Sequence, residues 1–155
     1  MRDWLNMSSV FLDTNFFLDV FDASRERHPK AKEALEKFLA EDMELYTSSD
    51  IISTISYFLQ KRLDVQTTVN TIDYIVQRVS VLVANNQDFI TLNKSILELL
   101  EIDTTLNLDY EDCMQLFLAH KYGVKRLLTS DNRFCQKVIE KYSVEIVGLD
   151  TVWLD

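Results

Sequence analysis

The apolar run Val10-Phe11-Leu12 stops abruptly at Asp13-Thr14-Asn15, and this stop constrains the fold more than any other stretch. Such a run, ended by an acid, a hydroxyl and an amide, reads as a buried strand that delivers a carboxylate to its C-terminal end. In open α/β sheets that end is where ligands bind. Two later stretches look like partners for it: Asp109-Tyr110-Glu111-Asp112, and Thr129-Ser130-Asp131 after Arg126-Leu127-Leu128.

The remaining pattern alternates strands with helices. A short helical turn is expected over Phe16 to Phe21. His28-Pro29 then opens an amphipathic helix, Lys30 to Ala40, with Ala31, Ala34, Leu35, Phe38 and Leu39 on one face. Glu44 to Thr47 reads as the second strand. Ser48-Ser49-Asp50 cap a helix to about Leu63, Asp50 itself being read as a cap, and Asp64 opens another through Val76. Val79 to Val83 is the third strand, Phe89 to Leu100 a helix, and Asp109 to Tyr122 a helix closed by Gly123. Val124 to Leu128, a helix over Phe134 to Tyr142, and Val144 to Val147 complete the alternation. Gly148 to Asp155 is expected as a tail docked through Val152-Trp153-Leu154.

Strands separated by helices imply an α/β three-layer sandwich, a central, mainly parallel five-stranded sheet flanked by helices. With two Gly and one Pro there is little room for linkers, so residues 1–155 are expected as a single domain. The paired helices between the second and third strands are extra to the alternation and suit a lobe or an oligomer surface. Phe16, Phe17 and Tyr57 are expected to be exposed aromatics that suit a homodimer. No apolar run reaches membrane-spanning length, and Met1 to Met7 shows no signal core, so the expected location is the cytoplasm. Cys113 and Cys135 form neither a disulfide framework nor a zinc pattern and read as buried free thiols.

Each acid has an ordinary explanation. Asp13 can cap the Phe16 helix, Asp109 can cap the helix containing Asp112, and Asp131 can cap the Phe134 helix. Glu111, about 100° round the helix from Asp112, is expected to be solvated. Together the acids say more. Asp13 and Asp131 leave parallel strands at one sheet edge, and Asp112 enters the helix just before the second of those strands. Three acids at one edge repel one another unless a cation lies between them. Carboxylates without Cys or His suit Mg²⁺ or Mn²⁺, and such a site can activate water and stabilise the leaving oxygen of a phosphodiester. His28 and His120 complete no triad, and no Gly-rich phosphate loop is present. The net charge of −9 argues against a protein that coats nucleic acid, though not against an enzyme that holds one strand at a metal site.

The opening VFLDTN, the DYEDCMQLFLAHKYGV helix and the RLLTSDNRF strand and turn, in this order and spacing, resemble the PIN-domain family of metal-dependent nucleases. The resemblance covers most of the chain and extends to small VapC-type toxins. It implies a Mg²⁺- or Mn²⁺-dependent endoribonuclease, a homodimer, an RNA substrate and a small antitoxin partner. Asp13, Asp112 and Asp131 match the family's acids, and Thr129 matches the hydroxyl that precedes the last of them. Asn15 matches the amide of the opening motif, and Asp109 an extra acid of some members. The family's helical Glu falls at Thr54, where no acid stands; Asp50, one turn earlier, and Asp109 are candidates to compensate. Arg133 occupies a place where many members have another acid, and it suits a phosphate. Lys125 and Lys137 are further candidates to position the backbone.

Two other readings compete. A PIN-like fold with weakened chemistry could serve as a protein- or RNA-binding component, and Thr54 favours that. A haloacid-dehalogenase-like phosphatase also places an Asp after its first strand, but it needs a second acid where Asn15 stands.

Overall fold

The structure, a computed structural model, describes residues 9–130 and 134–152, with Thr151 and Val152 described by their backbone alone. Five strands form one sheet: β1 (Ser9–Leu12), β2 (Glu44–Ser48), β3 (Ser80–Leu82), β4 (Arg126–Leu128) and β5 (Glu145–Val147). They lie in the order β3-β2-β1-β4-β5, and every pairing is parallel. The helices are α1 (Thr14–Phe21), α2 (His28–Ala40), α3 (Ser49–Arg62), α4 (Val65–Val76), α5 (Asn86–Ile102), α6 (Tyr110–Lys121), α7 (Gln136–Tyr142) and α8 (Leu149–Val152).

The strand order places the functional edge. The chain steps outward from β1 to β2 to β3, then returns to the other side of β1 for β4 and β5. The order therefore reverses between β1 and β4, and at such a switch point the two C-terminal strand ends open a crevice. Val10, Phe11 and Leu12 have no exposed surface, as a central strand covered on both faces requires.

Phe16 and Phe17 do not serve a dimer surface. Both are 1% exposed, and the Phe16 ring lies 5.9 Å from Phe17 and 6.4 Å from Phe38. Helix α1 follows β1 at once and is wedged between the sheet and its neighbours, so Phe16 through Val20 are all buried. Burying each aromatic ring contributes roughly 1.5–3 kcal/mol. Of the three aromatics, only Tyr57 is exposed, at 56%.

Helix ends follow local chemistry. At the end of α6, Gly123 has φ +72°, its N–H donates to the His120 carbonyl, and the Val124 N–H donates to the Ala119 carbonyl. These are the two bonds of a Schellman closure, which needs a left-handed residue after the helix. Asp50 is not the cap of α3. Ser48 is, its Oγ accepting from the Ile51 N–H at 3.2 Å, because its extended backbone ends β2 and opens α3 at one residue. Asp50 lies exposed in the first turn, where its charge favours the helix dipole. Helix α5 starts earlier than Phe89, because Asn85 and Asp88 form a reciprocal capping box. The expected C-terminal tail is instead helical from Leu149, itself 4% exposed. Of its expected anchors, Trp153, Leu154 and the Val152 side chain lie outside the described residues.

Candidate metal-binding cleft

Asp13 is the first residue past β1 at the switch point. Its N–H still donates to the Leu128 carbonyl of β4, at 3.1 Å, so the sheet holds its backbone. It is also the N-cap of α1: Oδ1 accepts from the Thr14 N–H at 2.7 Å. Oδ2 accepts from the Thr129 hydroxyl at 2.6 Å, across 116 residues of sequence. The capping role and the site role therefore fall on one carboxylate. Thr129 is 1% exposed, and its N–H donates to Val147 at the end of β5. Thr47, at the end of β2, donates its hydroxyl to the Leu12 carbonyl at 3.0 Å. Hydroxyls on neighbouring strands thus brace the turn that presents Asp13, which is 5% exposed.

A helix between parallel strands runs back against them, so the first turn of α6 arrives at the edge from which β1 and β4 emerge. There Asp109 caps the helix, its Oδ1 accepting from the Asp112 N–H at 3.0 Å. A cleft of about 320 Å³ opens between this turn, α1 and α3. Asp13, Thr14, Asn15, Thr54, Asp109, Glu111, Asp112 and Gln115 all line it, with Asn107 and Leu108. Asp13, Asn15, Thr54, Asp109 and Asp112, picked from the sequence, are thus brought to one cleft. Thr129 stands behind it, holding Asp13. Asp131 and Arg133 lie outside the described residues. The N-cap of α7 is Cys135, so that helix does not use Asp131 as its cap. Lys125 precedes β4 and lies at the opposite end of that strand from the cleft, its carbonyl accepting from Glu145 at 2.8 Å. Lys137 lies in the first turn of α7, where its charge acts on Asp103.

Glu111 is a residue whose solvent exposure sequence reasoning predicts and whose place in the cleft it does not. Its carboxylate keeps solvent contact yet lines the cleft with the other acids. Burial holds its pKa above the usual carboxylate value, and the negative charges of Asp13, Asp109 and Asp50 push it the same way. The Gln115 side chain offsets part of this by donating a hydrogen bond to it. Gln115 is 2% exposed, and its Oε1 has no hydrogen-bond partner among the described residues. The spacing of Glu111 and Gln115, i and i+4 on one helix face, was the available signal. Thr47 and Asn107 were also missed.

The donor set suits a hard cation. Carboxylates, amides and hydroxyls line the cleft, and no His or Cys does. Magnesium and manganese prefer such oxygen donors. Gln115 and Thr14 line the cleft as well, and their buried Oε1 and Oγ1 have no partners among the described residues. Among the described residues no three acids are gathered tightly enough to cage an ion directly. His28 and His120 are engaged elsewhere: their Nδ1 atoms contact the Asp19 and Tyr142 carbonyls at 3.0 and 2.9 Å.

Comparison with known proteins adds independent findings. The family model for the PIN domain matches residues 10–139. Ribonuclease VapC1 of Aquifex aeolicus (strain VF5) is 33% identical over 141 residues, covering 91% of this chain and 94% of that protein. Among solved structures, VapBC from Salmonella typhimurium, bound to DNA, superposes with a TM-score of 0.66 at 19% identity, covering 92% of this chain and 99% of that one. VapBC2 from Rickettsia felis, bound to a DNA fragment from their promoter, gives 0.66 at 14%, covering 90% and 98%. Mycobacterium tuberculosis VapC20, a Sarcin-Ricin loop cleaving toxin, gives 0.61 at 19%, covering 81% and 92%. At these identities the solved structures show a shared fold.

Proposed function

Because the chain belongs to the PIN domain family, we propose that it is a Mg²⁺- or Mn²⁺-dependent endoribonuclease, the toxin of a toxin–antitoxin pair. The observation that carries the reading is the pairing of Asp13, braced at the β1–β4 switch point, with the acids of the first turn of α6 across one oxygen-lined cleft. The 33% identity to a ribonuclease over nearly its full length supports the same activity here. The family match leaves no place for the phosphatase alternative. Residues 1–155 form one PIN-like unit in this reading, acting in the cytoplasm on RNA. Its partners are a small antitoxin and a second copy of the chain.

Asp13 and Asp112 would hold the ion, with Asp131 as the third acid. When bound, the ion neutralises charge that develops on the phosphate and acidifies a water. The chain's own groups prepare the place. The Thr129 hydroxyl and the Thr14 N–H favour the ionised form of Asp13 and fix its orientation. Asp109 keeps the α6 turn closed so that Asp112 faces the cleft. Asn15 offers an amide to the substrate, and Arg133 a guanidinium to a phosphate. Cleavage of short RNA by the purified protein is expected with Mn²⁺ and lost both in EDTA and in Asp13→Asn. Cleavage that survives both refutes the reading.

One observation favours the weakened-module reading. Thr54 turns its hydroxyl back onto its own helix, donating to the Asp50 carbonyl at 3.0 Å. Calorimetry with Mn²⁺ separates the two readings: the module predicts no binding at millimolar metal.

A further inference from the structure

Position 54 supplies no acid to the cleft, yet the cleft has a carboxylate that its expected constellation does not use. Glu111 lines it with Asp13, Asp112 and Thr54. Two further observations concern the same spot. Gln115, one turn along α6, is buried and donates its side-chain amide to the Glu111 carboxylate. Gln115 lines the cleft, and its buried Oε1 has no hydrogen-bond partner among the described residues. A buried amide oxygen left unmatched is unfavourable in a protein, and the water of a hydrated cation in the cleft would offer it a donor.

We propose that Glu111 is the fourth carboxylate of the divalent-cation site, replacing the acid absent at Thr54, with Gln115 as the residue that positions it. The proposal rests on the metal-dependent reading above and deepens it. Glu111 would engage the ion through a retained water. Mg²⁺ and Mn²⁺ sites commonly keep several such waters. The acid has in effect moved from α3 to α6, entering the cleft from the side that already carries Asp112.

The test is Mn²⁺ binding to the metal-free protein, by calorimetry and by the electron paramagnetic resonance of free Mn²⁺. Glu111→Gln is expected to weaken binding roughly tenfold or more, the scale of an outer-shell partner. Gln115→Leu weakens it less, because Glu111 remains but is no longer held. Glu98→Gln, which removes one exposed acid from α5, controls for net charge and stays within about twofold, as screened surface charges do. Thr54→Glu in the Glu111→Gln background restores part of the affinity. If Glu111→Gln binds Mn²⁺ like the wild type while Asp13→Asn loses it, Glu111 is no part of the site and the parent reading survives. A wild-type protein that binds no Mn²⁺ at millimolar levels overturns both.

Discussion

The two ends of helix α6 treat charge in opposite ways. At its C-terminal end Lys121 donates to Asp88 at 2.7 Å, and each partner favours the charged form of the other. Asp88 is as buried as Asp13, at 5% exposure, and it also closes the capping box of α5. At the N-terminal end, Asp109, Glu111 and Asp112 face a cleft that also holds Asp13, and Glu111 is opposed by the negative charges of its neighbours. One end resolves its charge within the chain and so contributes stability. The other concentrates like charge, which lowers stability by itself and favours a cation from outside. Perturbed acids gathered in a cleft are where a functional site is to be sought.

The largest effect that tests this contrast is catalytic. Asp13→Asn should lower RNA cleavage by more than roughly a hundredfold, since it removes a proposed metal ligand. Its thermal midpoint should stay near the wild-type value, because Asn caps helices about as well as Asp. A large fall in stability would mean that Asp13 is chiefly a structural residue.

Asp88→Ala should do the reverse. Losing the capping box destabilises by about 1 kcal/mol or somewhat more, which lowers the midpoint by roughly 2–4 °C for each kcal/mol in a chain of this size. Cleavage measured well below the midpoint should be unchanged. Lost activity in the folded variant would join the two ends of α6 functionally and break the comparison.

The pH dependence of that loss has a defined sign. The Lys121 hydrogen bond holds the Asp88 carboxyl below its ordinary value of 3.8. A depressed acid contributes stability that is complete above 3.8 and disappears as the pH falls through its lower native value. Lys121 is raised above 10.5 by the same contact, so its share is complete below 10.5 and is lost as the pH climbs through the higher native value. Denaturant titrations of the wild type and Asp88→Asn should therefore converge below the acid range. Curves that stay parallel there would show that the pair contributes nothing through charge.

The smallest effect concerns the turn between the two ends. Cys113, buried on α6, has its thiol pushed up to about 11, first by burial and then by the nearby charge of Asp112. The thiolate is the reactive form, so alkylation at pH 8 should spare Cys113 in the folded protein and reach it after denaturation. Rapid native labelling would show that the first turn of α6 opens readily, and that the cleft wall is less rigid than its hydrogen bonds suggest.

Much of this molecule was legible before its structure. The alternation of strands and helices, the closure at Gly123 and the grouping of Asp13 with Asp112 follow from local rules: apolar runs, periodicity, caps and the edge of a parallel sheet. These are properties of short segments, and short segments carry them. The errors arose where position in the fold overrides local pattern. Phe16 and Phe17 looked like surface aromatics beside a polar turn, but α1 is packed on all sides. Asp50 looked like a cap, but Ser48 already held that backbone geometry. Glu111 is solvated as expected, but helix angle alone could not say that a cleft stands opposite it. By itself the sequence determined which acids leave the strands, since the apolar-to-polar stop is written in consecutive residues. Only the tertiary structure decided that Thr129 braces Asp13 and that Glu111 shares its cleft, because both arrangements join segments about a hundred residues apart through the placement of β1, β4 and α6.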